Sequence, residues 1–192
     1  MADEESGEVR NEKLDPEAEA RRQLALAQVR QYPDPVLRMR AREVEGSDAD
    51  VGRLAERLSH LLKDAHGLGL AATQIGVLRR VFAFLPDIEQ EPVIVVNPSF
   101  TATSEERESD TEGCLSLQGV VIPVERHVSL TLEGQDVEGK DLRLELEGLP
   151  ARIAQHELDH LDGVLILDRT TPEAKREALG TLRPRPVLRI GP

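Results

Sequence analysis

Apolar residues recur along this chain in two rhythms, and each predicts its own elements. Val51, Leu54, Leu58, Leu61 and Ala65 fall three or four residues apart, one face of a helix that Gly67 should stop. Ser47, with Asp50 three positions on, forms a capping pair at its start. Upstream, Asp15-Pro16-Glu17 supplies an N-cap, a proline at the first helical position and an acid beside the positive helix end, which predicts a helix over 16–30. Its stripe is thin, mostly alanine with Leu24, Leu26 and Val29, so it needs a surface to dock on. Two prolines in Tyr32-Pro33-Asp34-Pro35-Val36-Leu37-Arg38 break the pattern between these helices. From about 79 the rhythm shortens. Val81-Phe82-Ala83-Phe84-Leu85 and Val93-Ile94-Val95-Val96 are short apolar runs bounded by proline or asparagine, as buried strands are, whereas 127–133 and 141–147 alternate, as in a hairpin with one wet face. Pro150 opens and Gly163 closes a last major helix holding Ile153, Leu158 and Leu161, and Thr171-Pro172-Glu173 starts a short one that Gly180 should end. The order helix, several strands, helix reads as an α+β fold, with antiparallel or mixed sheets packed around a central helix in a single domain over 15–180.

Composition changes this picture at the ends and at the surface. Residues 1–14 are charged and poor in large apolar groups, too little to offset the entropy of ordering, so a flexible acidic tail is expected there and a second tail over 181–192. With 24 Lys and Arg against 36 Asp and Glu the formal charge is −12, which argues against a broad surface for phosphate backbones, so no DNA partner is expected. The basic, proline-rich stretch 183–189 reads as tail, with a transient ribosome contact through ribosomal RNA as the alternative. No run approaches the roughly 18 apolar residues of a spanning helix, and the acidic start leads into no apolar signal core. A soluble, cytoplasmic protein with no membrane partner is therefore expected. The single cysteine, Cys114, excludes an intramolecular disulfide and poses the question of what a lone thiol does.

The chemistry begins at His156-Glu157-Leu158-Asp159-His160, inside the last major helix. Residues four apart lie one turn above each other, so both imidazoles project from one face and can grip one metal ion, while Glu157 can reach a metal-activated water and move its proton. Two histidines leave a tetrahedral divalent site needing a third protein ligand and one open position. Cys114, in the turn-like Thr111-Glu112-Gly113-Cys114-Leu115-Ser116, is the candidate. A third segment, Gly67-Leu68-Gly69-Leu70-Ala71-Ala72-Thr73-Gln74, has glycines spaced as in a dinucleotide loop but follows a helix where that loop follows a strand. Its small residues instead let backbone pass close to a ligand, and Gln74 offers an amide donor to a developing oxyanion. Two other readings stay open: a metallopeptidase of the HExxH kind, or a protein that keeps its metal for stability alone. His60, His66 and His127 lack ligand spacing and read as surface or helix-end residues, and 105–108 reads as solvated loop.

In this order and at this spacing the three segments resemble peptide deformylase, whose pattern is a GxGxAAxQ segment, an EGCLS segment and an HExDH helix. The stretch from Tyr32 to Arg38 is similar to the family's start, and the resemblance spans about 29–170. It implies one divalent ion, Fe(II) expected and zinc, nickel or cobalt able to replace it, held by Cys114, His156 and His160. It implies Glu157 as general acid and base, with Gln74 and the Leu115 backbone N–H as oxyanion donors. Leu68, Gly69 and Glu112 fall on the substrate side, Leu68 as a wall of the methionine pocket and Gly69 through its backbone. The implied reaction removes the formyl group from the N-terminal formyl-methionine of nascent polypeptides by hydrolysis, giving formate and a free amine. The chain also departs from the pattern. Leu117-Gln118-Gly119 stands where the family often has a proline, Asp110 takes an often apolar place, and Val124 stands at an arginine's place with Arg126 two residues on, so that Glu112 has no evident partner.

Overall fold

The computed structural model of the chain describes residues 15–45 and 49–182. The expected tail at 1–14, the Ser47 end of the capping pair and the basic 183–189 stretch lie outside them. Among the described residues four helices, α1 (Pro16–Leu26), α2 (Ala49–Asp64), α3 (Leu149–Leu161) and α4 (Pro172–Leu182), flank seven strands. These are β1 (Gly69–Ala71), β2 (Val81–Phe84), β3 (Val93–Thr103), β4 (Arg107–Gly113), β5 (Val121–His127), β6 (Ser129–Gln135) and β7 (Asp141–Glu147). Strands β1-β2-β3-β6-β7 make one antiparallel sheet in that order, and β4 pairs with β5 in a separate antiparallel ribbon. The fold is α+β.

Local signals set the helices. The Asp15 carboxylate accepts from Ala18 N at 2.8 Å, the cap that the sequence predicts. α1 stops at Leu26, short of 30, because tertiary bonds take over the backbone: Arg30 N donates to Gln74 O at 2.7 Å and Tyr32 N to Ser116 O at 2.9 Å. α2 buries Val51, Leu58, Leu61 and Leu62 along one stripe, which Ala65 continues just past its end, and turns Arg53, Glu56 and Arg57 to solvent. α4 runs past the expected stop at Gly180 to Leu182, with the glycine on an open face where a β-carbon would meet nothing.

The strands depart further from the sequence pattern. β3 continues past Asn97 and Pro98, where a register shift between Val96 and Ser99 accommodates a proline that cannot donate to the ladder. His127 closes β5, paired with Arg107, instead of opening the next strand, and the chain crosses to the large sheet at Val128. β4 forms over residues expected as solvated loop, including Arg107 and Glu108, and as turn, and β1 and β5 arise in stretches for which the sequence pattern predicts no element.

α3 is the central helix, packed against β1, β2, β6 and β7 of the sheet and β5 of the ribbon. One core, with Leu62, Leu68, Phe82, Phe84, Leu132 and Ile153, fills the space between the large sheet and helices α2 and α3. A second, with Leu37, Leu117, Val124, Leu167 and Ala178, lies under the ribbon. Each fully buried Leu or Phe contributes about 1.5–3 kcal/mol, so α3 is clamped from both sides and its side chains are held where the two layers meet.

Candidate metal centre and active site

His156 and His160 share one face of α3, their ring centroids 4.9 Å apart and their Nε2 atoms 3.2 Å apart. β4 ends at Gly113, and Cys114 follows in a turn closed by Leu117 N donating to Cys114 O at 3.0 Å. That turn brings Cys114 Sγ to 3.3 Å from His160 Nε2. The three ligand atoms lie within 4.8 Å of one another, and all three residues are buried. A tetrahedral ion with bonds of about 2.0–2.1 Å to nitrogen and 2.3 Å to sulfur needs its ligand atoms about 3.3–3.6 Å apart. The donor set fits such an ion, and a thiolate with two imidazoles suits zinc or ferrous iron.

Gln74 lies in the 3-10 turn Ala72–Ile75 that follows β1 and is fully buried. Its Oε1 accepts from Ala71 N at 2.7 Å, which fixes which way the amide faces. Its Nε2 then donates to Ser116 Oγ at 3.2 Å and lies 3.8 Å from Cys114 Sγ, so the donor end is turned towards the ligands. Thr73 Oγ1 donates to His160 O at 3.1 Å, tying this turn to α3. Gly69 approaches α3 so closely that a β-carbon on it would stand 2.1 Å from Glu157 Oε1. Leu115 is buried beside Cys114, its carbonyl accepting from Gln31 Nε2 at 3.0 Å. Leu68, expected as a wall of the methionine pocket, is fully buried in the large-sheet core, and its carbonyl accepts from Leu85 N at 2.9 Å.

Glu112, expected on the substrate side, lies inside the protein. It is 0% exposed, with both carboxylate oxygens engaged. Arg126 donates to it twice, Nε to Oε1 and Nη2 to Oε2, each at 2.9 Å; Arg152 Nη1 donates to Oε1 at 2.9 Å, and His156 Nδ1 lies 2.9 Å from Oε2. Burial alone would raise its pKa, but the Arg126 and His156 hydrogen bonds and charges outweigh burial and hold the carboxyl well below the usual range. An ionised partner on Nδ1 favours the proton there, so that Nε2 is the nitrogen suited to ligate a metal. The partner of Glu112 is thus Arg126, the residue set aside as displaced from the family's arginine. The signal was available: Ile122, Val124 and Arg126 share the inward face of β5, and an arginine on a buried face calls for a buried acid. Arg152, Ser116 and Thr73 gave no such signal. Of the other histidines, His60 is exposed, and His127 Nδ1 lies 2.6 Å from Ser104 O, away from the centre.

A family model described as polypeptide deformylase matches residues 26–176. A peptide deformylase of Desulforudis audaxviator is 44% identical over 154 residues, 80% of this chain and 99% of the relative. Among solved structures, a peptide deformylase from Legionella pneumophila superposes with a TM-score of 0.76 at 34% identity, over 80% of this chain and 91% of that one. One from Thermotoga maritima gives 0.71 at 39% identity, over 75% and 97%.

Proposed function

The chain belongs to the peptide deformylase family, and on that premise we propose that it hydrolyses the formyl group from the N-terminal formyl-methionine of nascent polypeptides. The observation that carries the reading is the convergence of Cys114 Sγ, His156 Nε2 and His160 Nε2 beside a carboxamide whose donor end is turned to them. When bound, a divalent ion supplies Lewis acidity and acidifies water there; Fe(II) is the proposed ion, with zinc, nickel or cobalt as substitutes. Glu157 takes a proton from the attacking water and returns one to the leaving nitrogen, so that the C–N bond breaks and formate and a free amine depart. Gln74 Nε2 and the Leu115 N–H donate to the oxygen on which negative charge gathers. Gly69, by lacking a side chain, leaves room for both Glu157 and an extended substrate backbone. A nascent N-terminus as substrate implies work in the cytoplasm, with a transient ribosome contact. No helix among the described residues is long and apolar enough to cross a membrane.

The test is formate release from a formyl-Met tripeptide by protein loaded anaerobically with Fe(II), beside Glu157→Gln loaded in the same way. Turnover that needs the metal and falls about 100-fold or more in the variant is expected, the usual worth of a positioned acid–base group. Stoichiometric metal binding without formate would overturn the proposal.

A further inference from the structure

The buried charges do not end at Glu112. Arg126 turns Nη1 to Asp159 Oδ2 at 2.6 Å, and Asp159 receives Arg169 twice, Nε on Oδ2 at 3.0 Å and Nη2 on Oδ1 at 2.6 Å. Arg126 and Asp159 are 5% and 9% exposed, whereas the Arg169 side chain is 48% exposed. Glu112, Arg126, Asp159 and Arg169 therefore form a row of alternating charge from His156 to solvent. Its outer end lines a cleft of about 470 Å³ together with His127, Gln155 and Asp162.

Deformylation as derived above uses neither arginine nor Asp159. Stability by itself is a weak reason for the row, because well-packed apolar residues often replace buried ion pairs without loss. What the row supplies is direction. Two parallel bonds from one guanidinium fix the plane of a carboxylate, which a single ammonium cannot do. Arg126 grips both oxygens of Glu112 in this way, and the paired bonds between Asp159 and Arg169 brace its far side. A ligating imidazole takes its ring orientation from the acceptor on its other nitrogen. We infer that Arg126, Asp159 and Arg169 are positioning residues for the metal centre: the row fixes the Glu112 carboxylate, and through it the His156 ring, so that metal retention depends on an arginine at the surface. This rests on the reading of Cys114, His156 and His160 as a metal site.

The test compares wild type, Arg126→Lys and Arg169→Gln, each loaded with Co(II). It reads the visible absorption of the bound ion, its rate of loss to a chelator and the unfolding midpoint of the metal-free protein. Replacing the partner of a ligating histidine commonly costs about 10–100-fold in metal affinity, so Arg126→Lys should lose Co(II) about 10-fold faster and Arg169→Gln about 3-fold faster, both with altered absorption. A merely structural role would lower the metal-free midpoint and leave the spectrum and the rate of loss unchanged, and that result overturns the inference. Arg169→Gln changes a half-exposed side chain and keeps the test decisive should Arg126→Lys fail to fold. Absence of Co(II) uptake by the wild type would overturn the metal reading itself, which separates the two failures.

Discussion

Gly69 has no side chain because Glu157 occupies the space where one would stand, 2.1 Å from the place of a β-carbon. The clash falls on the carboxylate itself, so Gly69→Ala must displace the group proposed to carry the proton. A misplaced catalytic group costs about 100-fold, and we expect kcat to fall by that order while the metal-loaded protein keeps its Co(II) absorption. Gln74 carries a different load. Its amide is oriented by Ala71 N and Ser116 Oγ before any substrate arrives, so it needs no reorganisation as charge develops. Gln74→Leu should cost about 2.7–4 kcal/mol in transition-state stabilisation, roughly 100- to 1000-fold in kcat with KM little changed. An unchanged kcat in steady-state assays of formate release would remove Gln74 from the mechanism. Both residues stand in segments whose chemistry can be read from the chain, whereas Arg126 can be read only from its inward place on β5, since nothing in its neighbours along the sequence names Glu112 as its partner.

Elements fixed by local signals are legible, and elements fixed by pairing are not. α2 and α3 show themselves through stripes and stops that belong to one segment, and the β6–β7 hairpin through alternation. β4, Arg107–Gly113, carries exposed polar residues over most of its length and is a strand because β5 lies beside it, residue by residue from His127 to Val121. Strand formation of that kind depends on neighbours across the sheet more than on propensity. The turns that follow the same logic are held by Asp168. Its carboxylate accepts from Leu165 N at 3.0 Å and pairs with Lys175 at 3.3 Å and with Arg38, joining the 3-10 turns Pro35–Arg38 and Ile166–Asp168 to α4. Partial burial alone would raise its pKa, but Arg38, the Leu165 N–H and Lys175 outweigh burial and leave it lowered. A lowered folded-state pKa means stabilisation that is complete above the unfolded value, about 3.9, and is lost as pH falls through the folded one. Asp168→Asn should therefore destabilise the protein at pH 7 by at most about 1 kcal/mol, given solvent screening. The difference should shrink below about pH 4, as urea unfolding at the two pH values would show. An effect of equal size at both would assign it to shape and not to charge.

At the scale of the molecule, the ligands come from two separately hydrogen-bonded layers. Cys114 lies in the connection between β4 and β5 of the ribbon and belongs to the second core, while His156 and His160 sit on α3, which packs on the large sheet as well as on β5. Three segments more than thirty residues apart in sequence meet only because α3 is held between these layers. The ordered motifs identify the participants; no property of a single segment foretells that Cys114 Sγ and His160 Nε2 come to 3.3 Å. An ion held by all three joins ribbon to helix, and the unfolded chain cannot offer that geometry, so binding is linked to folding. At free metal about 1,000-fold above Kd the linkage amounts to about 4.1 kcal/mol, or roughly 8–16 °C in Tm for a chain of this size. Calorimetry at fixed free metal should show Tm rising with the logarithm of the ion concentration, and chelation should reverse the rise. Cys114→Ala should abolish most of this dependence while keeping the fold, because it removes the ribbon's only hold on the ion and leaves both histidines in place on α3. A Tm indifferent to metal in the wild type would mean that the two layers meet without an ion between them, and the proposed reaction would lose its Lewis acid.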